Sequence, residues 1–174
     1  MKRAALLLSI VLAVCACGSA KAPPPAAEDP SGRFRFDLLA EAQPDVDGTR
    51  ASWRIGDTGV TVTIQRVATA DNFDRTRTLD GVADALVTRY SLGEVEGEMI
   101  KRECRAGSER AICLDGWISR KDGAMAEMFL KRSVLVESGD GFVLIESIGD
   151  SEHAGVVERQ AGLVTSTFDT GGRS

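Results

Sequence analysis

The feature that most constrains the fold is a long run of alternating apolar and polar residues at 96–148. Its first half, EGEMIKRECRAGSERAICLDGWIS, folds back on itself if GSER forms the tip of a hairpin. Its second half runs from AMAEMFLKRSVLVES to FVLIESI and contains the dipeptide Asp140-Gly141, which is typical of tight hairpin turns. Strands that follow one another through short turns pair antiparallel. This region therefore predicts at least four neighbouring strands of an antiparallel sheet.

The first hairpin has a register in which several residue types agree. A symmetric pairing around the centre of GSER places three complementary pairs on one face: Cys104 with Cys113, Arg102 with Asp115, and Ile100 with Trp117. In an oxidising compartment, cysteines that face each other across two strands form a structural disulfide. A redox-active pair is more often Cys-x-x-Cys at the start of a helix, a pattern that is absent here.

The remaining elements predict two helices and further strands. RFRFDLL alternates, and GVTVTIQRV follows ASWRI after a Gly-rich turn. In TLDGVADALVTRYS the spacing of the apolar residues changes to that of a helix, and Thr78 is the predicted N-cap. A second helix is predicted after Gly149, beginning at Asp150 or Ser151. The expected fold class is α+β, a mostly antiparallel sheet with two helices packed against it.

The N-terminus reads as an export signal. Lys2 and Arg3 precede an apolar stretch at 4–14, which is too short to span a bilayer. The next residues, VCACGS, resemble a bacterial lipoprotein cleavage box, with Cys17 at the lipidated position. The resemblance implies cleavage before Cys17 and diacylglycerol on its thiol. Two alternatives stay open: ordinary cleavage, for example after Ala20, and a metal or redox role for the Cys-x-Cys pair.

This interpretation divides the chain into four parts. Residues 1–16 are the signal peptide, and 17–32 are the lipidated cysteine with a Pro-rich tether. Residues 33–169 form a single domain, followed by a loose tail at 170–174. The prolines in KAPPPAAEDP favour an extended spacer, which would hold the domain away from the membrane.

The element order resembles the PsbP-like, or Mog-type, α/β sandwich over about residues 33–169. In that group an N-terminal β segment precedes a helix with a Thr-Leu-like start, here TLDGVADALV, and a long antiparallel meander follows. A C-terminal helix then ends in a Ser/Thr-x-Phe-like sequence, here TSTF. The group includes small bacterial lipoproteins similar to DcrB and LpqN. The resemblance implies a binding or accessory protein without catalytic residues, and neither a metal nor a cofactor is expected.

The net charge and the absence of certain motifs argue against several classes of function. The net charge is −5, and binding of nucleic acid uses clustered Lys and Arg, so no nucleic-acid partner is expected. No Gly-x-Ser-x-Gly, HExxH or P-loop motif is present. We expect a periplasm-facing lipoprotein, in the outer rather than the inner membrane, that binds an envelope protein or a small ligand. The alternatives are a small periplasmic hydrolase using His153, the single histidine, and a soluble periplasmic structural protein.

Overall fold

The computed structural model describes residues 23–67, 78–92, 95–122, 125–138 and 141–171. Within these ranges the chain forms a two-stranded sheet, a seven-stranded sheet, two α-helices and a 3₁₀ turn at Ser151–His153. The elements in chain order are β1 (Ala26–Glu28), β2 (Arg35–Asp37), β3 (Asp45–Asp47), β4 (Arg50–Arg54), β5 (Thr61–Val67), α1 (Leu79–Leu92), β6 (Val95–Ala106), β7 (Glu109–Asp122), β8 (Met125–Ser138), β9 (Gly141–Asp150) and α2 (Ala154–Thr167).

The seven strands lie in the order β3-β4-β5-β9-β8-β7-β6. After β5 the chain passes through α1 to the opposite edge of the sheet, where β6 begins. The meander from β6 to β9 then returns across the sheet until β9 lies beside β5. All of these pairs are antiparallel, which confirms the predicted α+β class with a mostly antiparallel sheet.

The two helices cover opposite faces of this sheet. Neighbouring residues of a strand point to opposite faces. Leu114 of β7 lies in one apolar cluster with Leu86 of α1. Its neighbour Cys113 lies in a second cluster with Val164 of α2 and with Phe36 of β2. The sheet is therefore the central layer, and we call its two sides the α1 face and the α2 face.

The ends of the helices are set by local hydrogen bonds. The Gly81 amide donates to Thr78 Oγ1 at 3.2 Å, which confirms the predicted N-cap of α1. The last helix begins later than predicted. Asp150 caps the 3₁₀ turn, where its Oδ1 accepts from the His153 amide at 2.9 Å, and α2 starts only at Ala154.

The predicted N-terminal strands are present, with one addition. Phe34, Phe36 and Leu38 are buried together, as the alternation of RFRFDLL predicts. The addition is the edge strand β3, in which Val46 lies opposite Ala51, and the chain turns at Gly48 into β4.

The fold also begins before the predicted domain boundary. β1 lies inside 17–32, the segment predicted as a tether. Ala27 is buried opposite Phe36, and the Asp29 carboxylate accepts a hydrogen bond from the Phe34 amide at 2.9 Å. The extended chain that Pro23–Pro25 favours therefore continues directly into a hairpin instead of remaining a free spacer.

The β6–β7 hairpin has a register that differs by two residues from the predicted one. Ala106 pairs with Glu109 across a two-residue turn, so GSER is not a four-residue tip. Gly107 in this turn has a φ of +54°, and a Cβ there would lie 2.0 Å from the Phe168 carbonyl oxygen. A glycine thus allows the tip to rest against the end of α2, and this contact favours the tighter turn.

A shift of two residues leaves every side chain on its predicted face. The three predicted pairs therefore meet on diagonals instead of directly across the strands. Cys104, for example, lies opposite Ala111, and Cys113 lies opposite Arg102. Diagonal neighbours remain within reach of one another, which is why the disulfide and the Arg102–Asp115 ion pair form despite the wrong register.

Candidate functional site

The α2 face is only partly covered. α2 lies over β8 and β9 and buries Val157, Gln160 and Val164, while the β1–β2 hairpin continues this layer beside α2. Gln160 joins the two: its Nε2 donates to the Asp37 carbonyl at 3.0 Å, and its Oε1 accepts from the Leu39 amide at 2.9 Å. The first half of β6, the second half of β7 and the start of β8 extend beyond this cover.

Three large apolar side chains are exposed on that uncovered part. Ile100 of β6, Trp117 of β7 and Met128 of β8 are 64%, 42% and 45% exposed. Trp117 lies opposite Leu130, which belongs to the cluster beneath α2, so all three follow the alternation of the α2 face. We call Ile100, Trp117 and Met128 the open face. Exposed apolar side chains grouped on one surface indicate a site of interaction more often than single ones do.

A polar groove of about 360 Å³ adjoins the open face, between α2 and strands β7 and β8. On the helix side it is lined by Glu158, Ala161, Gly162 and Thr165. The small side chains leave space against the sheet, and nothing lies within 4 Å of a Cβ built on Gly162. A short peptide loop or a single large side chain would fit a groove of this size.

The groove is lined by a network of four charged residues, which we call the arginine network. Asp115 is its buried centre and is 8% exposed. Its carboxylate accepts from Arg102 Nε at 2.6 Å and pairs with Arg132 Nη1 at 3.2 Å. Arg132 Nη2 also donates to Glu158 Oε1 at 3.1 Å. Because the Arg102 and Glu158 side chains are each 59% exposed, both can exchange solvent for groups of a bound partner.

The predicted disulfide lies next to this network. The structure contains the Cys104–Cys113 bond, which confirms the pairing, with a Cα–Cα distance of 5.8 Å. The bond links β6 to β7 on the same face as Arg102 and Asp115. It therefore holds the two strands that carry most of the open face at a fixed separation.

The architecture can be compared with that of known proteins. No protein-family model matches this chain, and no similar sequence is found among curated proteins. The solution structure of the cyanobacterial PsbP (CyanoP) from Synechocystis sp. PCC 6803 superposes with a TM-score of 0.55. The superposition covers 90% of this chain and 98% of CyanoP at 15% identity. This chain has the PsbP-like fold.

A second solved structure is more distantly similar. LpqN, which is involved in cell envelope biogenesis of Mycobacterium tuberculosis, gives a TM-score of 0.38 at 12% identity. That match covers 87% of this chain and 86% of LpqN. The PsbP-like fold predicted from element order is thus confirmed by the CyanoP comparison.

Two further residues were identified in the sequence as candidate site residues, Cys17 and His153. Cys17 lies outside the described residues. His153 lies at the end of the 3₁₀ turn, where its Nδ1 is 2.8 Å from Asp150 Oδ1, and both hydrogen bonds described for it run to Asp150. The pair closes the turn that precedes α2. Among the described residues, no group of three or more potential metal ligands is found, and no helix is long and apolar enough to cross a membrane.

Sequence reasoning missed a charged cluster on the opposite, α1 face. Lys131 of β8 lies 2.5 Å from Glu146 Oε1 of β9, and its Nζ is also 2.5 Å from the Tyr90 hydroxyl of α1. The Tyr90 hydroxyl donates to Glu146. We call Lys131, Glu146 and Tyr90 the closed cluster. Its signal in the sequence is Lys131 and Glu146, which, together with Ser133, interrupt the apolar residues at the α1-face positions of β8 and β9.

Burial governs the protonation of the closed cluster. Burial raises the pKa of Tyr90 well above its usual range, and the charge of Glu146 raises it further. Burial lowers the pKa of Lys131, although the Glu146 carboxylate opposes that change. The Lys131 and Glu146 side chains are only 9% and 15% exposed, and their bonds are made within the cluster. This arrangement fits a structural role in holding α1 on the sheet.

Proposed function

We propose that this protein is a lipid-anchored accessory protein of the bacterial cell envelope that binds a protein partner through its open face, without catalysis. The observation that carries the proposal is the open face itself. Trp, Met and Arg are the residue types enriched in protein interfaces, and the open face contains Trp117 and Met128, with Arg102 two positions from Ile100 on β6. The envelope location rests on the export signal and the cleavage box at Cys17.

The predicted position of the anchor agrees with partner binding at the open face. Eight residues separate Cys17 from Ala26, the first residue of β1, and a fully extended chain between the two reaches about 30 Å. The β1–β2 hairpin lies on the α2 side of the sheet, so the tether leaves from the side that carries the open face. A short tether on that side would keep Trp117 within reach of membrane-associated partners.

Mass spectrometry of the mature N-terminus tests the anchor. We expect a protein that begins at Cys17 and carries the mass of a diacylglycerol group. An unmodified N-terminus near Lys21 would contradict the lipoprotein assignment and leave a soluble periplasmic protein.

Crosslinking in cells tests the binding surface. Wild type should capture one defined envelope protein, and Trp117→Ala should reduce that capture about 30-fold, as expected for an interface hot spot of 2 kcal/mol. Val46→Ala is the matched control, because Val46 is 53% exposed but lies on β3 at the other edge of the sheet. Equal loss from both variants, or from neither, would contradict the assignment. Circular dichroism establishes that each variant is folded.

A further inference from the structure

The strand β6 ends the seven-stranded sheet and, in the part of the chain that the structure describes, pairs only with β7. It is 12 residues long, and its outer edge presents backbone groups that can pair with another strand. The opposite edge strand, β3, is only three residues long. A long free edge is a template for adding a strand from another chain.

The residues of β6 suggest which strand would be added. Its sequence, VEGEMIKRECRA, is acidic before Ile100, with Glu96 and Glu98, and mainly basic after it, with Lys101, Arg102 and Arg105. An antiparallel copy of the same strand would bring the acidic half of one chain beside the basic half of the other. We propose that two copies of this protein pair antiparallel through β6, with the two-fold axis at Ile100.

The geometry of a sheet restricts the possible axes. Two antiparallel copies of one strand in a continuous sheet are related by a two-fold axis perpendicular to that sheet. Side chains directly opposite each other lie on the same face, so α2-face residues of one copy must meet α2-face residues of the other. The axis must therefore lie at a residue that pairs with its own copy in the other chain, and not between two consecutive residues of the strand.

Among the central residues of β6, Ile100 satisfies this condition best. An axis at Lys101 would place two like charges opposite each other. An axis at Met99 would centre the pairing on a side chain that is already 6% exposed beneath α1, and would set Glu98 opposite Ile100. An axis at Ile100 pairs the two exposed isoleucines and sets Glu98 opposite Arg102.

The same axis is compatible with attachment to a membrane. Because it is perpendicular to the sheet, it keeps both α2 faces on one side of the dimer. Both β1–β2 hairpins, and both tethers, then leave from that side. The two Trp117 side chains also lie on one continuous surface, so the dimer doubles the open face. This last point rests on the proposed function, whereas the pairing itself does not.

Cysteine crosslinking of the full chain, purified in detergent, tests the register. In Ile100→Cys the two thiols would lie about 5 Å apart at their Cβ atoms. Arg105 is an exposed position on the same strand. In Arg105→Cys, ten residues of strand would separate the two thiols along the β6–β6 interface, a distance of about 34 Å. With a short bis-maleimide we expect a covalent dimer from Ile100→Cys and none above the wild-type background from Arg105→Cys.

Several outcomes would overturn the proposal. Equal dimer yields from the two variants, a dimer from Arg105→Cys alone, or no dimer from a folded Ile100→Cys would each exclude pairing at Ile100. Sedimentation gives a second measurement without cysteines: wild type should sediment as a dimer and Ile100→Asp as a monomer. These experiments need no partner protein, so their failure leaves the Trp117→Ala crosslinking result unaffected, and the reverse also holds.

Discussion

The charged clusters on the two faces of the seven-stranded sheet differ in how far their members are exposed. On the α1 face, Lys131 and Glu146 lie against α1 with side-chain exposures of 9% and 15%. On the α2 face, Arg102 and Glu158 are each 59% exposed at the rim of a groove. A buried charge depends on one fixed partner, whereas an exposed charge can change partners at little cost. We therefore propose a stabilising role for the closed cluster and a binding role for the exposed members of the arginine network.

Removing the lysine of the closed cluster should give the largest effect. Lys131→Met keeps the length of the side chain but leaves the buried Glu146 carboxylate without its cation. We expect the free energy of unfolding to fall by about 3–5 kcal/mol, the usual cost of breaking a buried ion pair from one side. Urea unfolding measured by circular dichroism checks this value.

The matched control lies on the other face. Glu158→Gln also removes one partner of an ion pair, the one with Arg132, but at an exposed position. We expect a change below about 1 kcal/mol. If the two variants were destabilised equally, the distinction between a closed and an open face would be lost.

The disulfide tests how the open face is held without a covering helix. Replacing Cys104 and Cys113 together by alanine removes a bond that spans nine positions. We expect a loss of about 2–3 kcal/mol in the free energy of unfolding, since the bond closes a short loop. Wild type in reductant should lose the same amount, and an unchanged midpoint in reductant would show that β6 and β7 do not depend on the bond.

A pH titration of the wild-type protein tests whether the closed cluster is shielded from solvent. Tyr90 is the only tyrosine in the chain, so absorbance at 295 nm reports its ionisation alone. Burial and Glu146 raise its pKa in the folded state. The native state therefore holds this proton more tightly than the unfolded state, and the corresponding stability is complete below about pH 10 and lost as the pH rises.

We expect tyrosinate to appear only well above pH 10, together with loss of structure, and at about pH 10 in denaturant. Ionisation near pH 10 with an unchanged circular dichroism spectrum would mean that Tyr90 is open to solvent. The closed cluster would then resemble the arginine network.

Much of the fold could be predicted because alternation is a local property of the chain. The meander from β6 to β9, both helices and the shared face of Cys104 and Cys113 were all predicted from the pattern. The hairpin register was wrong by two residues because a shift of two preserves every face, so the pattern cannot detect it. In the observed register Gly107 lies against Phe168, which is more than 60 residues away along the chain.

The sequence by itself determined the PsbP-like element order and the pairing of Cys104 with Cys113. Both follow from periodicities and turn residues that act over a few positions. Only the tertiary structure decided which part of the sheet stays uncovered. α2 and the β1–β2 hairpin cover β8, β9 and the tip of the β6–β7 hairpin and leave Trp117 exposed, whereas α1 packs over Lys131. Trp117 and Lys131 therefore have environments opposite to those their residue types suggest, because burial depends on where distant elements pack.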